Sequence, residues 1–308
     1  MESSFKSWRI FILYKTNLFF FIKFVWRARQ ENKLPNSIVH AQYGSLTALA
    51  AALSAKNSPL IISYGGSDVF GVGAQGLKWI LRDWLTRQAG WLATWRCQAI
   101  IVKSKELFDS LPSRVNKKAF IIPNGVRTDI FFPTNKNKCR EQLGWDCNRP
   151  YIIFTPGRAN NVIVKNSVLA IKVCEYVKKK LPDTEMQFIV DKKPNEVALM
   201  MNAADCLLLT SLHEGSPNVV KESMACNLPV ITINVGDVSE RLINVKPSKV
   251  VQSYDCEEIG NAVIEILNSR QRSNGHEELV KQGLTRELVA QQILSIYYQI
   301  WQDIHGKK

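Results

Sequence analysis

The chain lacks any long apolar run where one would be expected. Within the aromatic-rich stretch 5–26, the longest uncharged apolar runs are Ile10–Tyr14 and Leu18–Ile22, five residues each. A membrane-crossing helix needs about 20, so this stretch is not a transmembrane segment. It also lacks a small-residue cleavage site and has cations scattered through its apolar part, which argues against a secretory signal. Paired cysteines are missing too. The seven cysteines (97, 139, 147, 174, 206, 226 and 256) are odd in number, scattered and without a CxxC pair. That excludes a disulfide framework or zinc site and favours a reducing cytoplasm. Cys174, Cys206 and Cys226 sit in apolar periodic segments, where a thiol behaves as a small hydrophobe. There is no internal repeat and no low-complexity tract. No helix-turn-helix, RNP or finger pattern points to nucleic acid as a partner.

Acidic residues are scarce in the first half. Residues 1–124 carry 17 Lys and Arg against 6 Asp and Glu, whereas residues 125–308 carry 23 against 21. The net charge of +13 therefore belongs almost wholly to the first half. Residues 1–33 alone hold seven basic and two acidic residues, and nine aromatics lie between Phe5 and Trp26. On a helical projection Lys6, Arg9, Lys23 and Arg27 share one side, and Trp8, Phe19, Ile22 and Trp26 another. A basic, aromatic, amphipathic segment fits a helix lying in the plane of an anionic membrane surface. It fits equally a helix whose aromatic side packs on the adjoining sheet. The first reading places the protein peripherally on the inner face of a membrane.

Apolar residues make up 46% of a length that can hold two domains. Short apolar runs alternate with helical patterns throughout. Strands are expected at 37–41, 59–63, 98–102, 119–122, 151–154, 186–190, 205–209 and 229–233. Helices are expected near 45–55, 105–111, 137–143, 166–180, 195–203, 217–226, 255–268 and 285–303, with a Trp-rich helix after Asp68. Alternation of this kind gives right-handed βαβ units and parallel sheets, an α/β fold. The Asn124-Gly125 turn and Pro133 bracket a plausible boundary. The division is then a leader (1–33), a first domain (34–124), a linker (125–134), a second domain (135–284) and a terminal helix (285–308).

The most informative segment is Thr210–Glu240. It follows the apolar strand Cys206–Leu209, turns at Gly215-Ser216-Pro217-Asn218 into an amphipathic helix, and returns in the strand at Pro229–Thr232. Pro217 suits the first helical position. The amides of Asn218 and Val219 stand at the positive end of the helix dipole, a natural phosphate cradle. Glu222 lies one turn beyond Asn218, so these two look from one helix face toward one ligand, and Glu214 sits just before the turn. Carboxylates only accept hydrogen bonds, which suits the hydroxyls of a sugar or ribose. The competing reading is an ordinary strand–turn–helix with two solvated glutamates.

Glu214, seven residues, Glu222, with the Gly-Ser-Pro turn, resembles the nucleotide-sugar motif of the GT-B, family 4 retaining glycosyltransferases. The resemblance implies two Rossmann-like parallel-sheet domains facing a cleft. It implies that Glu214 faces the donor sugar, Glu222 holds the ribose, and the amides from Gly215 and Ser216 to Val219 hold the diphosphate. Thr155-Pro156-Gly157-Arg158 follows the first strand of the second domain, and in the family a Gly-Arg there is followed by a Lys. Arg158 and Lys165, seven residues on, would then stabilise the leaving diphosphate. Pro123–Pro133 (PNGVRTDIFFP) resembles the family's interdomain segment, and its terminal helix crosses back onto the first domain. No cofactor and no metal ion are implied, and no DxD motif appears. The nucleotide diphosphate sugar is a substrate, and a glycan or lipid-linked hydroxyl is the acceptor.

In the first half, Ser63–Asp68 (SYGGSD) resembles the family's His-Gly-Ser-Asp loop, with Gly65 where the family carries His. Gly66 and Asp68 keep the pattern, and His40 matches a histidine on the cleft wall. Asp68 reads equally as a turn or helix-cap residue, and His40 as a structural histidine. The first domain reads as shortened, because family members begin with a strand and Gly-rich loop. Residues 186–194 also run almost directly into the next helix. The expected activity is transfer of a hexose with retention, in surface polysaccharide or lipid-linked glycan synthesis. The alternative is a truncated relative that binds nucleotide sugar, or a partner glycosyltransferase, without turnover.

Overall fold

In the computed structural model the described residues are 18–31, 37–70, 77–157 and 162–305. The chain divides into two units, one up to Ile122 and again from Leu294 onward, the other from Pro123 to Ile293. In the first unit the order is α1 (Leu18–Glu31), β1 (Val39–Ala41), α2 (Leu46–Ser54), β2 (Leu60–Ser63), α3 (Ser67–Phe70) and α4 (Leu77–Ala93). Then come β3 (Ala99–Val102), α5 (Lys105–Asp109), α6 (Ser113–Asn116) and β4 (Ala119–Ile121). The four strands form a parallel sheet in chain order, β1-β2-β3-β4. β2 and β3 are buried along their whole length, as strands covered on both faces must be, which is why they read as unbroken apolar runs.

The second unit begins with α7 (Lys136–Leu143), β5 (Tyr151–Phe154), α8 (Val162–Lys165), α9 (Ser167–Lys180) and β6 (Glu185–Phe188). It continues with α10 (Pro194–Ala203), β7 (Cys206–Leu209), α11 (Asn218–Ala225), β8 (Val230–Ile233) and α12 (Val238–Leu242). β9 (Lys249–Val251), α13 (Cys256–Ser269), α14 (Gly275–Lys281) and α15 (Arg286–His305) complete it, although α15 belongs to the first unit from Leu294 onward. Its sheet is parallel with order β6-β5-β7-β8-β9. The chain therefore steps from β5 to one side, then crosses to the other. That reversal opens a crevice at the carboxyl ends of β5 and β7, where open α/β sheets bind ligands.

Several boundaries differ from the sequence expectation for local reasons. The helix expected over 105–111 stops at Asp109, because Pro112 biases the residue before it away from helical geometry, and α6 starts afresh. Pro217 is the N-cap of α11, not its first helical residue. Within the segment 125–134, Val126 and Phe131 are buried in the core of the second unit, and Val126 bridges to Thr285. Of the leader, residues 1–17, 32 and 33 lie outside the described residues. The described part, α1, packs on α2 but leaves Ile22 and Trp26 exposed, so those two side chains are not packed on the sheet.

Candidate functional site

The crevice between β5 and β7 is built from two loops tied together by polar contacts. Thr210, fully buried just past β7, donates its hydroxyl to the carbonyls of Lys165 and Asn166, at 2.9 and 3.1 Å. The Leu212 amide donates to the Val164 carbonyl at 2.8 Å. Asn166 takes a left-handed conformation that turns the chain from α8 into α9. These bonds fix α8 against the loop and aim Lys165 at Glu214. The ammonium Nζ lies 2.5 Å from Glu214 Oε1, which also accepts from Ser211 Oγ at 2.8 Å. Both charged side chains are only about one-sixth exposed (16% and 15%), so water screens the pair weakly. Gly157, at the start of the loop after β5, has φ +77. Arg158 lies outside the described residues.

The turn between Glu214 and α11 is braced from below. Gly236 has φ +56, and a Cβ there would sit 2.5 and 2.6 Å from the carbonyl oxygens of Gly215 and Glu214. Only glycine permits this approach. The next amide, Asp237 N, donates to the Gly215 carbonyl at 3.2 Å. Ser216 is bonded to the buried Asp237 carboxylate and accepts from Lys221 Nζ at 3.0 Å. Lys221 is itself fully buried and also donates to the Asn124 carbonyl at 3.0 Å. Burial pushes the Asp237 carboxyl up, opposed by Ser216, Arg241 and Lys221. Arg241 Nε holds Asp237 at 3.0 Å. A buried lysine, a serine and a buried aspartate thus form a row beneath Gly215–Pro217.

One turn into α11, Glu222 lines a cavity of about 390 Å3 together with Asn218, Gly125, Arg127, Lys192 and Val197. Asn218 and Glu222 share this wall, as four-residue spacing on a helix requires. Asn218 also accepts from Asn124 Nδ2 at 3.4 Å. Burial holds the Glu222 carboxyl above the usual carboxylate range, with Lys221 pulling the other way. Val219, half-buried behind Asn218, packs against the core. The first amides of α11 have no acceptor within the helix, so the cavity edge presents donors as well as a carboxylate.

Sequence reasoning missed Lys221, Lys192 and Arg127. Lys221 had a legible signal: it sits between Val220 and Met224 on the apolar side of the helix, where a lysine needs a partner. Lys192 follows β6, another carboxyl end of the same sheet.

The four residues singled out in the first half lie in the first unit. The Asp68 carboxylate accepts from the amides of Gly44, Gly65 and Gly66 at 2.7 to 2.9 Å, so it anchors the loop after β2. Burial still holds its carboxyl above the ordinary range. His40, at β1, contacts Ser63 Oγ through Nε2 at 2.8 Å and the Tyr297 hydroxyl through Nδ1 at 2.5 Å. Burial, with Lys103 nearby, lowers His40 to about 4, so the ring is neutral near pH 7. His276 is half-buried, and Nδ1 bonds the Ala225 carbonyl at 2.9 Å.

Comparison with known proteins agrees with this geometry. Residues 157–284 match the family model described as glycosyl transferases group 1. An uncharacterized glycosyltransferase of Methanocaldococcus jannaschii is 24% identical over 195 residues, 58% of this chain and 52% of the relative. The chain spans about half the length of the curated relatives it matches first. Among solved structures, sucrose-phosphate synthase from Thermosynechococcus elongatus superposes with TM-score 0.74 at 19% identity, covering 92% of this chain and 79% of that one. Anabaena HepE in complex with UDP-glucose gives 0.63 at 16% identity, covering 93% and 82%. This chain has the GT-B fold, and its residues 157–284 are similar to the glycosyl transferases group 1 family.

Proposed function

We propose that the protein transfers a hexose from a nucleotide diphosphate sugar to a hydroxyl acceptor with retention of configuration. The acceptor would belong to a surface polysaccharide or lipid-linked glycan. The observation that carries this reading is the Lys165–Glu214 pair at the β5/β7 crevice, with Glu222 on a cavity wall eight residues along. Glu222 and the cavity would take the ribose and base, and the α11 amides the diphosphate. Lys165, freed from Glu214 when donor binds, and Arg158 would stabilise the leaving diphosphate, and Glu214 would accept from sugar hydroxyls. Fixed cations aimed at developing charge supply the stabilisation that a metal ion gives elsewhere. The fold it shares with a protein crystallised with UDP-glucose makes a uridine diphosphate sugar the first donor to test.

The test is a thermal-shift screen against UDP-, GDP- and ADP-sugars. Donor at 100 times Kd stabilises the fold by about 2.7 kcal/mol. Glu222→Ala should abolish the shift, because ribose contacts are similar in ground and transition states. Arg158→Ala should keep most of the shift and slow transfer, because diphosphate charge grows during bond cleavage. No shift with any nucleotide sugar would refute the reading. Gly65, standing where the resembled family has His, favours one second reading, donor binding without transfer. Nucleotide release that Glu214→Gln abolishes would exclude it.

A further inference from the structure

α4 is built inside out. Leu77, Ile80, Leu81, Trp84, Leu85 and Leu92 recur at helical spacing and all point to solvent, from 49% exposure at Trp84 to 83% at Leu77. Trp95, just past the helix end, continues the stripe at 77%. The side turned to the protein carries buried Gly90 and Ala93 and half-buried Thr86. The reason is close packing: a Cβ on Gly90 would stand 1.4 Å from the Gly44 carbonyl oxygen. Tyr64 donates its hydroxyl to the Gly90 carbonyl at 3.1 Å and stacks on Trp91. With Gly90 and Ala93 against the protein and Trp91 stacked on Tyr64, the leucines, Ile80 and Trp84 fall on the outer side. A contiguous exposed apolar face of this kind marks an interaction site.

The charge around the stripe selects its partner. Residues 18–31 and 77–96 together hold seven Lys and Arg and two Asp and Glu. One of those acids, Asp83, is paired with Arg87. Arg82 is exposed beside the stripe, and α1, which also packs on α2, exposes Ile22 and Trp26 next to Lys23 and Arg27. A second copy docking two-fold on this stripe would set like charges against each other. No helix among the described residues is long and apolar enough to cross a membrane. We propose that the outward face of α4 docks in the plane of an anionic bilayer, with leucine and tryptophan side chains in the interface and the flanking cations on lipid phosphates. The proposal is independent of sugar transfer.

The experiment is vesicle co-sedimentation of the full chain with phosphatidylcholine alone and with an equal phosphatidylcholine–phosphatidylglycerol mixture. The wild type should favour the mixed vesicles, and the favour should shrink with added salt. The double variant L81Q/L85Q, which changes only exposed side chains, should bind the mixed vesicles at least about tenfold more weakly. Should that variant fold poorly, brominated phosphatidylcholine in the same vesicles provides a second measure. It should quench wild-type tryptophan fluorescence more than that of Trp84→Phe. Several results would overturn the proposal. They are equal binding to both vesicles, unchanged binding of L81Q/L85Q with loss only on deleting residues 1–17, or a concentration-dependent dimer that the variant abolishes.

Discussion

Gly236 holds the turn after Glu214 by having no side chain, which makes it the sharpest single-residue test of the proposed site. With φ +56 and two carbonyl oxygens inside 2.7 Å of any added Cβ, Gly236→Ala must move the Glu214–Gly215 peptide. The left-handed conformation alone costs about 1–2 kcal/mol in a non-glycine residue, and the displaced peptide adds to it. The expected result is a fall of about 2 kcal/mol or more in stability by urea unfolding, with a larger fractional loss of nucleotide-sugar affinity by calorimetry. Loss of stability with unchanged affinity would separate the turn from the binding site. At this scale the sequence was informative where a residue type is rare at its position. Glu214 and Glu222 stand out through spacing and the Gly-Ser-Pro turn. Lys165 stood seven residues from Arg158 with no visible partner, and only the folded chain pairs it with Glu214. Asp237 reads as a turn residue; its burial beside Ser216 depends on contacts that no local pattern encodes.

Between elements, Thr210 is the tie that sets α8 against the loop after β7. Thr210→Val keeps the shape and removes both hydrogen bonds, leaving the Lys165 and Asn166 carbonyls without this donor. A cost of about 1–2 kcal/mol is expected. The functional consequence should exceed it, because Lys165 is carried on α8. Transfer should slow while Glu222-dependent donor binding, read by thermal shift, persists. Equal loss of both would mean that α8 merely supports the fold. The elements themselves were legible to different degrees. β5, β7 and β8 are buried throughout and announce themselves as apolar runs bounded by turns. β9, three residues at the sheet edge, and α14, seven residues, carry too little pattern to be seen. α4 shows a different limit. Periodicity reveals that a helix has an apolar face, but the direction of that face is set by what can approach it, here Gly44 against Gly90.

Across the whole chain, His40 and Tyr297 join β1 to the last helix across 257 residues of sequence. Burial of His40 in the folded chain, with Lys103 nearby, makes it a source of acid-dependent stability. In the unfolded chain a histidine takes up its proton near pH 6.5, whereas His40 in the folded chain takes it up only near pH 4. Between these values the unfolded chain binds more protons at this residue. Its contribution to stability is therefore full above pH 6.5 and declines as the pH falls to about 4. The slope approaches ~1.4 kcal/mol per pH unit, about 3 kcal/mol in all. Asp68, Glu222 and Asp237, whose folded carboxyls are raised, act in the opposite sense, losing stability as the pH rises through the carboxylate range. Comparing two proteins that share those carboxyls cancels them. His40→Gln should be less stable than the wild type at pH 7, where it lacks a bond to Ser63 or Tyr297. The gap should narrow by pH 5 and close or reverse near pH 4. Urea unfolding of both proteins across this range reads the difference directly. Parallel profiles would mean that His40 is protonated as readily in the folded chain as in the unfolded one, and that the Tyr297 contact does not enclose it.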